Sequence, residues 1–321
     1  MRVVFLTADP DSASARVRVH EHLPALAAGG VDAAVWTIPR GAAARLRTWG
    51  RLRDVDAVVL HRKLFDRVTF AALRRASRRL LYDIDDALYT RPHGKADSRA
   101  RRRFAHTVSQ VDFVLAGSEY LARAAKTRGA KHVAVLRPGV AIPQASASAD
   151  AEPPRLVWTG SAATLPYLEA LAPTLRAVHQ RHPGWELDVL AEEAPALPGV
   201  PHRFHPWSLE AEDRVLAGAQ IGLYPLPDTP WARGKCAYKV LRYLAWGLAV
   251  LSVPHGGGAD ALGDPPAGRL APLEEFGVAL EQLLADPTER QRLSGAARER
   301  ALRRHLLSAR STELAELLRR V

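Results

Sequence analysis

The sequence predicts an α/β protein built from two doubly wound parallel sheets, each flanked by helices, and three observations lead there. Residues 3–7, 57–61, 80–84 and 113–116 are apolar runs of strand length with helical patterns between several of them, and such alternation implies parallel strands joined by crossover helices. The rhythm returns in the second half, most clearly in residues 221–253, where two short apolar runs bracket a helical pattern. Between the halves, residues 141–154 (AIPQASASADAEPP) suit neither a helix face nor a strand. Domains join at such stretches, and 321 residues leave room for two domains of about 150 each. The expected divisions are 1–150, 151–304 and a closing helix at 305–321.

In order, residues 3–7 read as a buried first strand, 16–28 as a helix stopped by Gly29 and Gly30, and 33–37 as a second strand. Strands at 57–61 and 80–84 enclose a helix around 70–77. After the strand at 113–116, Ser118 caps a helix that Gly129 ends, and 132–136 is the last strand of the half. Beyond the linker, 156–159 is a strand, Gly160 and Ser161 turn the chain into a helix over 164–180, and 185–190 is a strand. His205, Pro206, Trp207 and Ser208 form a loop before a helix whose first turn is acidic (Glu210, Glu212, Asp213). Further helical patterns lie at 276–284, 296–302 and 312–318. There is no short internal repeat.

Composition bounds the function. With 47% hydrophobic and 25% charged residues the chain belongs with soluble globular proteins, and no run approaches the roughly 18 to 20 apolar residues of a membrane span. The N-terminal apolar run lacks a cleavage pattern and reads as a strand. One cysteine permits no intrachain disulfide, so a cytoplasmic location is the default. The net charge of +11 is uneven: residues 1–150 hold 26 Lys and Arg against 14 Asp and Glu, the rest 19 against 20. Arg74, Arg75, Arg78 and Arg79 form one cluster; Arg99, Arg101, Arg102 and Arg103 form another. Such patches meet an acidic acceptor or an anionic membrane surface, on whose inner face the protein would then be peripheral. Nucleic acid is not expected, because no aromatic-interleaved platform or nucleic-acid motif accompanies them. The plain alternative is compositional bias toward Arg and Ala.

The most informative stretch is 221–258. Between its strands Ala237, Val240, Leu241, Leu244 and Ala245 share one helical face, while Lys235, Lys239, Arg242 and Trp246 share the opposite one. A helix starting after Pro225, Pro227, Asp228 and Pro230 puts Arg233, Gly234 and Lys235 at its N-terminus, where free amides and the positive dipole end bind phosphate. Cations at that end cost stability unless an anion is present, although a basic helix face is also compatible with simple solvation. The loop after the first strand (Ala8 to Ala15) contains no glycine, so the dinucleotide fingerprint is absent and NAD is not expected. Asp83-Ile84-Asp85-Asp86 ends a strand; a D-x-D metal reading is disfavoured by the doubly wound context, and no metal or other cofactor is expected.

The run Asp228, Trp231, Arg233, Gly234, Lys235, Cys236, Lys239, Tyr243, Ala245, Gly247, Val250 and glycines 256–258 resembles the donor-site helix of GT-B glycosyltransferases, specifically the family 4 group. The resemblance implies two Rossmann-like domains facing a cleft. The C-terminal one would hold the diphosphate of a nucleotide sugar, with a last helix crossing back to the first. Gly160 and Ser161 resemble the family's first donor-domain loop, Trp207 lies near the expected nucleobase, and Asp228, Arg233, Gly234, Lys235, Lys239 and Arg242 complete the implied donor set. Gly234 and Arg242 stand where family members commonly carry glutamates contacting the donor sugar and the ribose. Asp11, Arg16 and Arg18 resemble the acceptor loop, and Asp85 and Asp86 are expected to face the acceptor. Arg233 and Lys235 would stabilise the leaving diphosphate in place of a metal, with Asp86 or His61 serving the acceptor hydroxyl. The expected activity is metal-independent, retaining transfer to a glycan, lipid-linked or small-molecule acceptor. A non-catalytic GT-B module binding a nucleotide sugar or a partner protein, and a GT-B hydrolase or epimerase, are the alternatives.

Overall fold

The computed structural model describes residues 1–91, 97–147 and 153–320; positions 148–152 of the expected linker lie outside the described residues. The chain groups into two compact units. One comprises Met1–Gly139, Thr229–Cys236 and Leu307–Val321, the other Val140–Asp228 and Ala237–Leu306. The division differs from a cut at residue 150, because Thr229–Cys236, which the sequence suggests belongs to the second half, packs with the first. Gly234 lies against Ala87, and the Lys235 ammonium meets Asp86 at 2.8 Å.

The first unit holds six parallel strands, β1 (Arg2–Thr7), β2 (Asp32–Thr37), β3 (Ala57–His61), β4 (Leu80–Ile84), β5 (Phe113–Ala116) and β6 (Val133–Val135), in the order β2-β1-β3-β4-β5-β6. β3 and β4 are buried along their whole length, as continuous apolar runs in a sheet covered on both faces should be. Alternation along β1 sends Val4 and Leu6 into one core layer and Val3 and Phe5 into the other. Helices Ala42–Gly50, Arg67–Ala76, Ser98–Gln110 and Glu119–Lys126 supply the first layer with Trp49, Phe70, Phe104 and Leu121. Helices Leu23–Ala28 and Leu307–Arg320 cover the second with Leu26, Leu314 and Leu318.

The second unit repeats the plan with β7 (Arg155–Thr159), β8 (Glu186–Ala191), β9 (His202–Pro206), β10 (Ile221–Tyr224), β11 (Ala249–Ser252) and β12 (Arg269–Leu270), ordered β12-β11-β10-β7-β8-β9 and parallel throughout. Gly222 in β10 leaves room for the Tyr243 ring, which an added Cβ would meet at 2.6 Å. The Tyr243 hydroxyl thereby accepts the Thr159 amide at 2.9 Å.

Four local expectations change. Residues 16–28 are not one helix: the chain runs Ala13–Arg18, breaks at Val19 (φ −128°, ψ −65°), and resumes through a 3-10 turn at His20–His22 into Leu23–Ala28. Residues 164–180 split into Leu165–Glu169 and Ala172–Arg181. His205 and Pro206, expected in a loop, end strand β9. The helix expected to start near Arg233 is divided. Pro230–Arg233 is a four-residue helix of the first unit, Ala237 takes a left-handed conformation (φ 51°), and the long helix begins at Tyr238.

Candidate functional site

Each sheet reverses its strand order once, and in open α/β sheets the crevice beyond the carboxyl ends of strands at that reversal is where ligands bind. In the first unit the reversal lies between β1 and β3, whose last residues are Thr7 and His61. His61 is 2% exposed, with Nδ1 3.3 Å from Thr7 Oγ1 and Nε2 3.0 Å from Ser14 Oγ. Ser14 Oγ donates its one proton to Asp85 Oδ2 at 2.5 Å, so the His61–Ser14 contact requires the imidazole proton on Nε2. Burial pushes His61 below its ordinary pKa, which favours the neutral ring. His61, expected as a cleft-facing catalytic group, is thus enclosed, with both ring nitrogens engaged.

Beside it, Arg18 holds Asp83 through two bonds, Nη2 to Oδ1 at 2.5 Å and Nε to Oδ2 at 3.3 Å, and donates Nη1 to the Leu136 carbonyl at 2.6 Å. Although burial lowers it, the guanidinium is held above its ordinary pKa by Asp83. Arg18 is 2% exposed, which corrects the expectation that it binds acceptor: it ties the first helix to β4. Asp83, with both oxygens on Arg18, is likewise not free for the D-x-D role. Asp11 is exposed, and Arg16 lies 4.0 Å from Glu21.

Asp85 and Asp86 follow β4. Asp86 accepts the Ala87 amide on Oδ1 at 2.9 Å and the Lys235 ammonium on Oδ2 at 2.8 Å. Arg62 bridges the pair, with Nη1 3.0 Å from Asp85 Oδ1 and Nη2 3.4 Å from Asp86 Oδ2. Burial raises the Asp85 carboxyl, yet Arg62 and Arg18 hold it below the usual carboxylate range. Arg18, Arg62 and Lys235 therefore face Asp83, Asp85 and Asp86, and with His61 neutral the cluster is balanced. Lys235 also lies 3.8 Å from the centroid of the Trp231 ring, so it is not the bare cation of a solvated stripe.

In the second unit the reversal lies between β7 and β10. Trp158, at the end of β7, closes over Gly160, where an added Cβ would stand 1.9 Å from the indole ring; only glycine fits. The Gly160 amide donates to Leu190 O at 2.9 Å, so it is not presented to a diphosphate as the resemblance implies. Ser161 is exposed, and its carbonyl accepts the Thr164 amide at 2.9 Å. Thr164 Oγ1 in turn receives Lys239 Nζ at 3.0 Å, and that ammonium lies 4.8 Å from the centroid of the Trp158 ring. Lys239 sits in the first turn of the nine-residue helix Tyr238–Trp246.

One turn on, Arg242 is buried rather than displayed. Its Nε reaches Glu212 Oε2 at 3.2 Å and its Nη2 contacts Asp213, so the second glutamate position of the resembled family is filled by an arginine neutralised from another helix. Gly234, at the first position, has no room for a side chain: an added Cβ would stand 2.3 Å from Ala87 Cβ. Arg233 is exposed at the C-terminal end of Pro230–Arg233, Asp228 is exposed before it, and Trp207 is 38% exposed just after β9. Ser14, Arg62, Thr164 and Glu212 are members of these clusters that sequence reasoning missed. Ser14 and Thr164 are hydroxyls in the first turns after β1 and β7, and that position was the available signal.

No protein-family profile matches the chain, and no curated protein matches it by sequence. Solved structures do. Sucrose-phosphate synthase from Thermosynechococcus elongatus has a TM-score of 0.76 at 14% identity, covering 100% of this chain and 98% of its own. HepE of Anabaena, in complex with UDP-glucose, gives 0.72 at 14%, covering all of both chains. WaaG, a glycosyltransferase involved in lipopolysaccharide biosynthesis, gives 0.72 at 16%, covering 98% and 99%. Over its whole length the chain has the fold of the GT-B glycosyltransferases.

Proposed function

We propose that the protein is a glycosyltransferase that moves a sugar from a nucleoside-diphosphate sugar to an acceptor. The observation that carries this is Lys239 at the second unit's switch point, in the first turn of a helix, whose ammonium stands 3.0 Å from Thr164 Oγ1 next to the helix amides that favour an anion. A diphosphate there gains the ammonium and the first helix amides as the glycosidic bond to phosphate breaks, which is stabilisation where charge grows. The UDP-glucose complex of HepE supports a nucleotide-sugar donor. Acceptor binding is assigned to the first unit, with Asp85 and Asp86 as the carboxylates able to take a proton from an acceptor hydroxyl. Transfer is proposed to be metal-independent and retaining, in the cytoplasm.

Gly234 and Arg242 favour one second reading, a module that binds the nucleotide sugar without turning it over. Calorimetry with UDP and UDP-sugars, followed by detection of sugar release or transfer, decides. Binding without any release identifies the module, and no binding to any nucleoside diphosphate or nucleotide sugar overturns both readings.

The acceptor side carries a finer proposal, contact with an anionic membrane. Among the described residues no helix is long and apolar enough to cross a membrane. Helices Ala42–Gly50, Arg67–Ala76 and Ser98–Gln110 lie side by side on one face of the first sheet. They expose Arg47, Arg67, Arg75, Arg99, Arg101 and Arg102, together with Leu46 and Val68. Basic side chains with protruding apolar ones suit lipid headgroups above acyl chains.

A further inference from the structure

Arg62 belongs to none of the motifs above, yet its backbone is the least ordinary at the first switch point. Its φ is 60°, one of two positive values among the described non-glycine residues. Lys63 N donates to His61 O at 2.8 Å, closing a three-residue turn around it, and the positive-φ form of that turn is rare and strained. The Arg62 amide donates to Asp83 O at 2.9 Å, which pins the turn to β4. Strain of this kind persists where the surroundings over-determine it, and it gathers at functional sites. Here the turn carries the guanidinium to the Asp85/Asp86 bridge.

The bridge answers a physical difficulty. Two adjacent carboxylates repel, and without a cation one of them takes up a proton. Lys235 meets Asp86, while Asp85 has the Ser14 hydroxyl. Around Asp85 stand Arg62 and His61 from the end of β3, Arg18 and Ser14 from the first helix, and Tyr82, Asp83 and Asp86 on its own chain segment. Cys236 faces it from Thr229–Cys236. Of the cations, Arg62 alone touches both carboxylates, and Arg18 is saturated by Asp83 and Leu136.

We propose that Arg62 is a positioning residue whose strained turn aims its guanidinium to hold the Asp85 and Asp86 side chains in one orientation for an acceptor hydroxyl. This rests on the transferase reading above. Arg62→Gly separates the role from a structural one, because glycine adopts the positive φ without steric cost while the cation is lost. The variant should keep the parent's fold, read by circular dichroism, although losing the ion pairs to Asp85 and Asp86 lowers its stability. In carbon-13 titrations, with Asp85 assigned through Asp85→Asn, the Asp85 carboxyl should move to higher pH. The acid limb of the transfer profile should move with it, and kcat should fall on the order of 100-fold, as for a misplaced reacting group, with KM for the donor unchanged. Arg62→Lys should restore part of the titration and of kcat. An unmoved Asp85 titration in Arg62→Gly overturns the proposal, as does a shifted titration with kcat and pH profile intact. The titration needs no turnover, so a wild type that transfers to no acceptor would sink the transferase reading by a separate result.

Discussion

Gly234→Ala adds a single methyl group at a position where the resembled family commonly carries a glutamate. The new Cβ would lie 2.3 Å from Ala87 Cβ, 2.9 Å from Ala87 N and 3.1 Å from Ala87 Cα. Carbon atoms rest at about 3.5–4.0 Å, so the overlap with the methyl exceeds an ångström, and two of the three neighbours are backbone atoms that cannot rotate away. Gly234 itself has an ordinary φ of −78°, so the whole penalty is steric. Overpacking of this kind costs about 1–3 kcal/mol. Urea denaturation at neutral pH should show that loss without a changed slope. Ala87→Gly in the same chain should return part of it, because the contact with Cβ disappears while those with N and Cα remain. A Gly234→Ala protein as stable as the parent would refute the close packing, and with it the account of why a glutamate is missing here. On the same reasoning Gly234→Glu should lose both stability and activity.

Lys239→Ala should weaken UDP binding by roughly ten- to a hundredfold, the value of a charge-assisted bond to phosphate, and Arg233→Ala by less; unchanged affinity in Lys239→Ala would remove the anion site. Transfer should survive a chelator, and loss of activity restored by magnesium or manganese would revive the D-x-D reading. His22 is wholly buried and donates Nδ1–H to Ser311 Oγ at 2.7 Å, since that hydroxyl donates to Leu307 O at 2.9 Å. Burial, helped by Arg18, lowers its pKa from 6.5 to about 4. The unfolded chain therefore binds the extra proton first, so stability falls as pH drops from about 6.5 to 4, by about 3 kcal/mol in all. His22→Asn keeps a donor without the titration and should flatten that dependence; equal pH slopes in the two proteins would contradict it. Co-sedimentation with anionic vesicles should be weak at low salt and vanish at physiological ionic strength, where screening acts within about 8 Å. Glutamine at Arg99, Arg101, Arg102 and Arg103 should abolish it, more fully than at Arg74, Arg75, Arg78 and Arg79, since Arg74 is tied to Asp112 at 2.9 Å.

The sheets were legible because β1, β3, β4 and β10 are mostly apolar runs, interrupted in β4 by Asp83, the mark of strands buried on both faces. β9 was not: HRFHP is half exposed at a sheet edge and has no apolar face to read. Helix Ser98–Gln110 was hidden by its arginines, since Phe104, Thr107 and Val108 alone among its thirteen residues are buried. Site residues failed for a different reason. Arg18 and Arg242 look like surface cations until Asp83 and Glu212, 65 and 30 positions away, are brought beside them. A left-handed Ala237 cannot be read from an alanine, and it moved the helix start from Arg233 to Tyr238. Lys239 does lie on the helix the spacing gave it, in the first turn of Tyr238–Trp246.

The first unit is completed by the far end of the chain. Leu314, Ala315, Leu317 and Leu318 fill one of its core layers, Ser311 receives His22, and Arg319 reaches the Gly29 carbonyl. On the ribosome, at about 5–20 residues per second, the stretch between Gly139 and Leu307 takes on the order of ten seconds or more to emerge. Throughout that interval the nascent sheet presents Val3, Phe5, Val59 and Leu81 on a face with no final helix to cover it. The first unit therefore cannot complete this core layer until residues 307–320 have emerged. Fragments ending before residue 307 should aggregate even when every strand of the first sheet is present.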